Sequence, residues 1–315
     1  MTGEQMERLA EHCTLETYPT RTAWLDGRLR GLGASDLPAV LGLSPYKGAL
    51  TVWAEKTGHV AVDSVPSEAA YWGLALEPAV AQRYALVTQR VVEHLGDFVV
   101  LRSRRHPWLT TTLDRLAVGP DFVGALELKT ASAYKLAEWE EEPPLEYQVQ
   151  LQTQLIVTGL DVGSLACLVG GQKFVYADLR AHPTLHARLI EQGERFWRLV
   201  RADTPPPADG SLSSKEIIEA LYPRPTPGLV VDLPAAAAEW DATMRLTDEI
   251  ITEATSRRDQ AKNLLRQAIG EAEAGVLPDG TVWTNKLTAY TRPAQAAKDI
   301  SFRDLRRKAT KGRRA

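Results

Sequence analysis

The chain has 315 residues, 44% apolar and 24% charged, long enough for one large or two medium-sized domains with cores of their own. Its 37 Lys and Arg against 40 Asp and Glu give a formal charge of −3. That balance argues against binding nucleic acid through bulk positive charge and leaves room for a local basic patch. Cys13 and Cys167 lie far apart in no CxxC spacing, which excludes a disulfide framework and any four-cysteine zinc or iron–sulfur site. The N-terminus, MTGEQMERLAEHC, has acids where a secretory signal needs basic and then apolar residues, and no apolar run has bilayer length. A soluble, cytoplasmic protein with no membrane partner is expected.

In chain order, residues 20–60 read as short helices broken by turns. Ser35 and Ser44 stand as N-caps with Pro38 and Pro45 just inside, and Gly42 and Gly58 act as stops. From Pro66 to Arg90 the apolar spacing is helical, but Gly73 interrupts it, so a helix is expected from about residue 76. Strands follow at 98–104, 110–118 and 122–130, the last two joined by a turn at Gly119-Pro120-Asp121-Phe122. A helix runs over 145–158 to Gly159, then strands 164–169 and 173–179 flank Gly170-Gly171, and an amphipathic helix spans 182–202. Strands and helices alternating around a hairpin predict an α/β (α+β) architecture, a mixed β-sheet flanked by helices.

The remaining third has a different texture. Pro-rich stretches at 204–211 and 223–228 bracket a short helix and mark a linker over 204–230. Asp232 and Pro234 then open a long helix whose stripe includes Trp240, Met244, Thr247, Ile251, Ala254, Ala261, Leu264 and Ala268. Pro278-Asp279-Gly280 is a turn before an alternating strand at 282–290. The expected domains are 1–203, a linker 204–230, a helix-and-hairpin module 231–302 and a tail 303–315. That tail holds Arg303, Arg306, Arg307, Lys308, Lys311, Arg313 and Arg314 against Asp304 alone, and reads as a disordered or DNA-contacting end.

The chemistry concentrates in TTTLDRLAVGPDFVGALELKTA, with Asp114, Glu127 and Lys129. Glu127 and Lys129 are two apart and so share one face of a strand. A turn centred on Pro120-Asp121 sets Asp114 opposite Glu127, subject to a one-residue bulge. Two carboxylates about 4 Å apart at an effective dielectric near 20 repel by about 4 kcal/mol, so the pair calls for a cation between them. Hard oxygen ligands suit Mg²⁺ or Mn²⁺, and a lysine beside them can stabilise a phosphate oxygen or help to deprotonate an attacking water. The pattern reads as metal-assisted phosphodiester hydrolysis; an exposed hairpin with a cross-strand ion pair is the plainer alternative. Glu77, at an apolar helix start, is either a further carboxylate for the metal or a favourable charge in a first helical turn. On the later helix Tyr147, Gln150 and Gln154 share one face and Val149, Gln152 and Ile156 another, and amides on a buried helix need partners.

Together, Arg28 through Ser35 with Asp36, then Glu77, Asp114, Glu127-x-Lys129, and Tyr147-x-x-Gln150-x-Gln152 followed by Val157-Thr-Gly, resemble the YqaJ-type viral recombinase family. That family contains the phage lambda exonuclease and lies in the PD-(D/E)XK nuclease superfamily; the likeness covers residues 20–200. It implies a restriction-endonuclease-like fold. It further implies Glu77, Asp114, Glu127 and the Leu128 carbonyl as metal ligands, Lys129 as the catalytic lysine, and Gln150 as a positioner of water or scissile phosphate. The Trp24-x(3)-Arg28-x(6)-Ser35 segment resembles the family's pocket for a 5′-terminal phosphate, which a guanidinium and a hydroxyl suit physically. Ser35 as a simple helix cap is the alternative. Arg115 departs from the family, which commonly has Gly after the aspartate.

The resemblance implies a Mg²⁺-dependent exonuclease that degrades one strand of linear double-stranded DNA from its 5′ ends and supplies single strands for recombination. A single-strand annealing protein as partner and a ring-like homotrimer are implied with it. A site- or structure-specific endonuclease would share the carboxylates and lysine without needing Arg28 and Ser35. A non-catalytic DNA-binding assembly module would have no reason to hold carboxylates in apposition, and a glycosidase pair would leave Lys129 unexplained.

Overall fold

The computed structural model describes residues 3–61 and 67–289, so the basic tail, residues 303–315, lies outside them. The chain divides into two compact units, Met1–Pro223 and Arg224–Ala315. The first begins with α1 (Gly3–His12), β1 (Cys13–Thr17), α2 (Arg21–Leu29), β2 (Leu32–Gly33), α3 (Leu37–Val40), α4 (Ala49–Thr57) and α5 (Glu68–Thr88). Strands β3 (Val91–Glu93), β4 (Val99–Ser103), β5 (Leu109–Thr111), β6 (Arg115–Gly119) and β7 (Phe122–Ala131) follow. Then come α6 (Leu136–Glu141), α7 (Leu145–Thr158), β8 (Val162–Val169), β9 (Lys173–Arg180), α8 (Pro183–Arg201) and α9 (Leu212–Leu221).

Two sheets result. The larger has the order β3-β6-β7-β8-β9, antiparallel except for the parallel β7–β8 pair, and the smaller has the order β1-β4-β5-β2 with β2 parallel to β5. The expected mixed sheet flanked by helices is therefore present. Helix α7 touches β7 and β8 of the larger sheet and β4 and β5 of the smaller one. Its Leu151 and Leu155 bury among Leu101, Leu109, Leu116 and Leu165, each such side chain contributing about 1.5–3 kcal/mol. Helix α5 covers the other face of the larger sheet, setting Val80, Ala81 and Tyr84 against Leu126, Leu128 and Ala166.

Several expectations change. Residues 110–118 do not form one strand: β5 joins the smaller sheet and β6 the larger, and the chain crosses between them at 112–114 with Leu113 buried. Helix α5 begins at Glu68, not near 76, because Ser67 caps it by accepting a hydrogen bond from the Ala70 amide, and Gly73 is carried inside the helix. Neither Ser35 nor Ser44 is a helix cap. Asp36 and Gly48 precede α3 and α4, and the Ser44 hydroxyl accepts from the Tyr46 amide in a local turn. Helix α7 ends as expected, with Gly159 at φ 68°, and Gly170 and Gly171 take φ 61° and 70° in the β8–β9 hairpin.

Helix α9 belongs to the first unit, where Ile217 and Leu221 pack against the cluster built by Leu50 and Trp53 of α4. The second unit holds α10 (Ala237–Ile269) and an antiparallel hairpin of β10 (Ala274–Val276) and β11 (Val282–Thr284). The strand expected over 282–290 is shorter than the alternation suggested, and Tyr290 lies outside the described residues.

Candidate active site

Strand β7 carries the centre. Its alternation turns Leu126 and Leu128 toward α5, and Glu127 and Lys129 toward α7. Glu127 is only 2% exposed, so its charge must be met inside the protein. Lys129 pairs with Oε1, Gln150 donates to the same oxygen at 2.6 Å, and Gln154 donates to Oε2 at 2.5 Å. The expected face of α7 thus converges on one carboxylate. Tyr147 completes that face, its ring centroid 5.1 Å from Lys129 Nζ. Gln154, which the sequence placed on the face of Tyr147 and Gln150 without assigning it a role, holds the second oxygen of Glu127. Gln152 points elsewhere, accepting from His182 N and donating to the Arg180 carbonyl, and so ties α7 to the start of α8.

The hairpin register is as the turn predicted, pairing Gly119 with Phe122 and continuing to Arg115 opposite Leu126. Asp114 falls one residue beyond the ladder. Its Oδ2 accepts the Leu128 amide at 2.8 Å, which fixes the carboxylate at the strand end beside Glu127. Burial first, and then the charge of Glu127, push the Asp114 carboxyl up to about 8. Lys129 is held above its ordinary range: burial alone would lower it, and the charges of Glu127 and Asp114 outweigh burial.

Glu77 is well inside α5, nine residues from its start, so it is not a first-turn charge. Its Oε1 accepts from Arg115 Nη1 at 2.6 Å, and the same guanidinium donates to the Asp114 carbonyl. Glu77, Asp114, Leu128 and Lys129 line one cavity of about 270 Å³ with Gly73 and Thr130. Among the described residues, no three His, Cys, Asp or Glu side chains already converge as a ligand set. The donors nevertheless fit a hard divalent cation, which takes one or two carboxylates and completes its shell with water and substrate oxygens. Asp114 ionises here against its burial and then against the neighbouring charge of Glu127, and a cation beside it would offset both.

A second cluster lies on α2, α3 and α4. Arg28 lies over the Trp24 ring, 4.8 Å from its centroid, and its Nη2 reaches Ser35 Oγ at 3.4 Å. Beside them Asp36 is buried, accepts the Gly33 amide at 3.0 Å and pairs with Lys56 at 2.8 Å and Lys47 at 3.1 Å. Burial pushes Asp36 up, but Lys56, Lys47 and Arg28 outweigh it and hold the carboxyl well below the usual range. Lys56 is itself pushed down by its burial. Sequence reading found Arg28 and Ser35; the two lysines are brought in by the fold.

Fold and site define an α/β protein with a carboxylate–lysine centre at the end of a central strand. Residues 23–161 match the YqaJ-like viral recombinase domain, a span that includes Arg28, Ser35, Glu77, Asp114, Glu127, Lys129 and Gln150. The chain is 33% identical over 281 residues to the uncharacterized protein YqaJ of Bacillus subtilis (strain 168), covering 88% of this chain and 86% of that one. It belongs to the YqaJ-like viral recombinase family. Solved structures with some likeness include an alkaline exonuclease of Laribacter hongkongensis, at 20% identity and TM-score 0.49 over 57% of this chain and 92% of that one. A phage-related exonuclease from Haemophilus somnus 129PT matches at 10% identity and TM-score 0.40, covering 55% and 96%.

Proposed function

We propose that this protein is a Mg²⁺- or Mn²⁺-dependent deoxyribonuclease that hydrolyses one strand of linear duplex DNA from its 5′ ends, supplying single strands for recombination. The observation that carries the reading is the convergence of Asp114, Glu127 and Lys129 at the end of β7 in a member of a viral recombinase family.

Asp114, Glu127 and the Leu128 carbonyl would hold the metal, with Glu77 joining once it leaves Arg115. The bound ion would supply Lewis acidity toward a phosphate oxygen and a more acidic water. Lys129, ion-paired to Glu127, is a cation placed to stabilise charge that develops on the phosphate. Gln150 and Gln154 fix both oxygens of Glu127, so the carboxylate keeps one orientation as substrate enters. Arg28 and Ser35 would receive the 5′-terminal phosphate, their charge balance kept local because Lys47 and Lys56 already neutralise Asp36. A ring-like homotrimer and a single-strand annealing partner belong to the same proposal.

The test is digestion of linear duplex DNA with 5′-phosphate or 5′-hydroxyl ends and of closed circular DNA, in Mg²⁺ or in EDTA. Expected is loss of linear DNA in Mg²⁺ alone, faster from phosphorylated ends, with circles intact. Cutting of circles would favour an endonuclease, and undiminished activity in EDTA would remove the metal mechanism.

A further inference from the structure

The second unit contains a surface that the proposed nuclease chemistry does not use. In α10, Trp240, Met244, Thr247, Ile251 and Ala254 recur at alternating intervals of four and three residues. Ala261, Leu265 and Ala268 continue the series, with Arg258 its single charged member. That spacing keeps one seam of a helix facing a partner helix along its whole length. No residue of the 33-residue helix is buried; Trp240 is 58% and Ile251 57% exposed. At 1.5 Å per residue the seam from Trp240 to Ala268 is about 42 Å long.

Charge says what fits it. The first half of α10 carries Glu239, Asp241, Asp248, Glu249 and Glu253 against Arg245. The second half carries Arg257, Arg258, Lys262 and Arg266 against Asp259. Two copies running parallel would set like charge on like, whereas antiparallel copies set acid on base. Side-chain size follows the same division, with Trp240, Met244 and Ile251 in the first half and Ala254, Ala261 and Ala268 in the second.

We propose that α10 pairs antiparallel with α10 of a second copy of this chain, about a twofold axis near Thr252 and Glu253. In that register Met244 meets Ala261 and Ile251 meets Ala254, so large side chains seat on small ones nearer the axis, Thr247 meets Arg258, and Trp240 packs on Leu265 at each end. Asp241 faces Lys262 across the seam, once on each side of the axis, as a twofold interface requires.

The measurement is sedimentation equilibrium on the full-length chain. Ile251→Lys, on an exposed position, should leave the helical circular dichroism unchanged and halve the mass, whatever assembly the rest of the chain forms. Asp241→Lys and Lys262→Asp should each weaken association by about tenfold, and combining them should restore it. Equal masses for the wild type and Ile251→Lys, or a double charge reversal that stays as weak as the single ones, would overturn the proposal.

Discussion

A carboxylate that is 2% exposed and receives one lysine and two glutamine amides cannot be removed without consequence for its neighbours. Glu127→Gln keeps the volume but leaves Lys129 buried without its ion-pair partner, so cleavage should disappear and the melting temperature should fall while the far-UV circular dichroism keeps its native shape. Lys129→Ala should cost at least about a hundredfold in turnover, the scale of one lost transition-state contact, with circular dichroism unchanged. A fully active Lys129→Ala protein would remove the nuclease assignment. Arg28→Ala is expected to reduce the rate ratio between 5′-phosphorylated and 5′-hydroxyl ends, and an unchanged ratio would count against the pocket. Asp36 gives a pH signature. Its folded carboxyl lies below its unfolded value, so its stabilisation is complete above about pH 4 and is lost as pH falls. Asp36→Asn should flatten the acid limb of a urea-stability profile and cost about 3–5 kcal/mol at pH 7, because Lys56 is left buried without its counter-ion. A steep acid limb in the variant would show that other carboxylates carry it.

Among the elements, α7 does most to set the site, because it spans both sheets and presents Tyr147, Gln150 and Gln154 on the side facing β7. Its end is fixed by Gly159, where a Cβ would lie 2.2 Å from the His12 ring and φ is 68°. Gly159→Ala should therefore lose at least about 1–2 kcal/mol of stability in urea melts, the left-handed backbone alone accounting for that much. Much of this level was legible in the sequence: the helix at 145–158, the hairpin register and both glycine turns follow from periodicity and turn chemistry. The division of 110–118 between two sheets was not, since the run Thr-Thr-Thr-Leu-Asp-Arg-Leu-Ala-Val holds no Gly or Pro to break it and only the partner strands distinguish its halves. The early start of α5 was missed because a glycine costs a helix only about 1 kcal/mol, which the packing of Val80, Ala81 and Tyr84 on the sheet readily exceeds.

At the scale of the whole molecule, the two compact units invite a cut. A chain ending at Pro223 keeps α9 packed on α4 and every candidate site residue. It should fold, melt cooperatively and degrade linear duplex DNA. Loss of folding on that truncation would show that the second unit is part of the same cooperative structure. Among the described residues no helix is long and apolar enough to cross a membrane. The net charge of −3 proves a poor guide to partners, since charge is distributed locally: Glu77 and Asp114 line one cavity with Lys129, and Lys47 and Lys56 flank Asp36 at another site.

Most of the element order, the register that brings Asp114 toward Glu127, and the shared face of Glu127 and Lys129 are legible in the local sequence. These follow from periods of 2 and 3.6 residues and from turn residues, which are local properties. Arg28, Ser35, Glu77 and Gln150 were candidates through the resemblance of their motifs to those of the viral recombinase family. That Gln154 holds the second oxygen of Glu127, that Arg115 engages Glu77, and that Lys47 and Lys56 surround Asp36 emerges from the packing of separate elements. Those contacts join residues on separate elements, and burial selects them: a charge taken out of water is stable only beside the partner that the fold delivers.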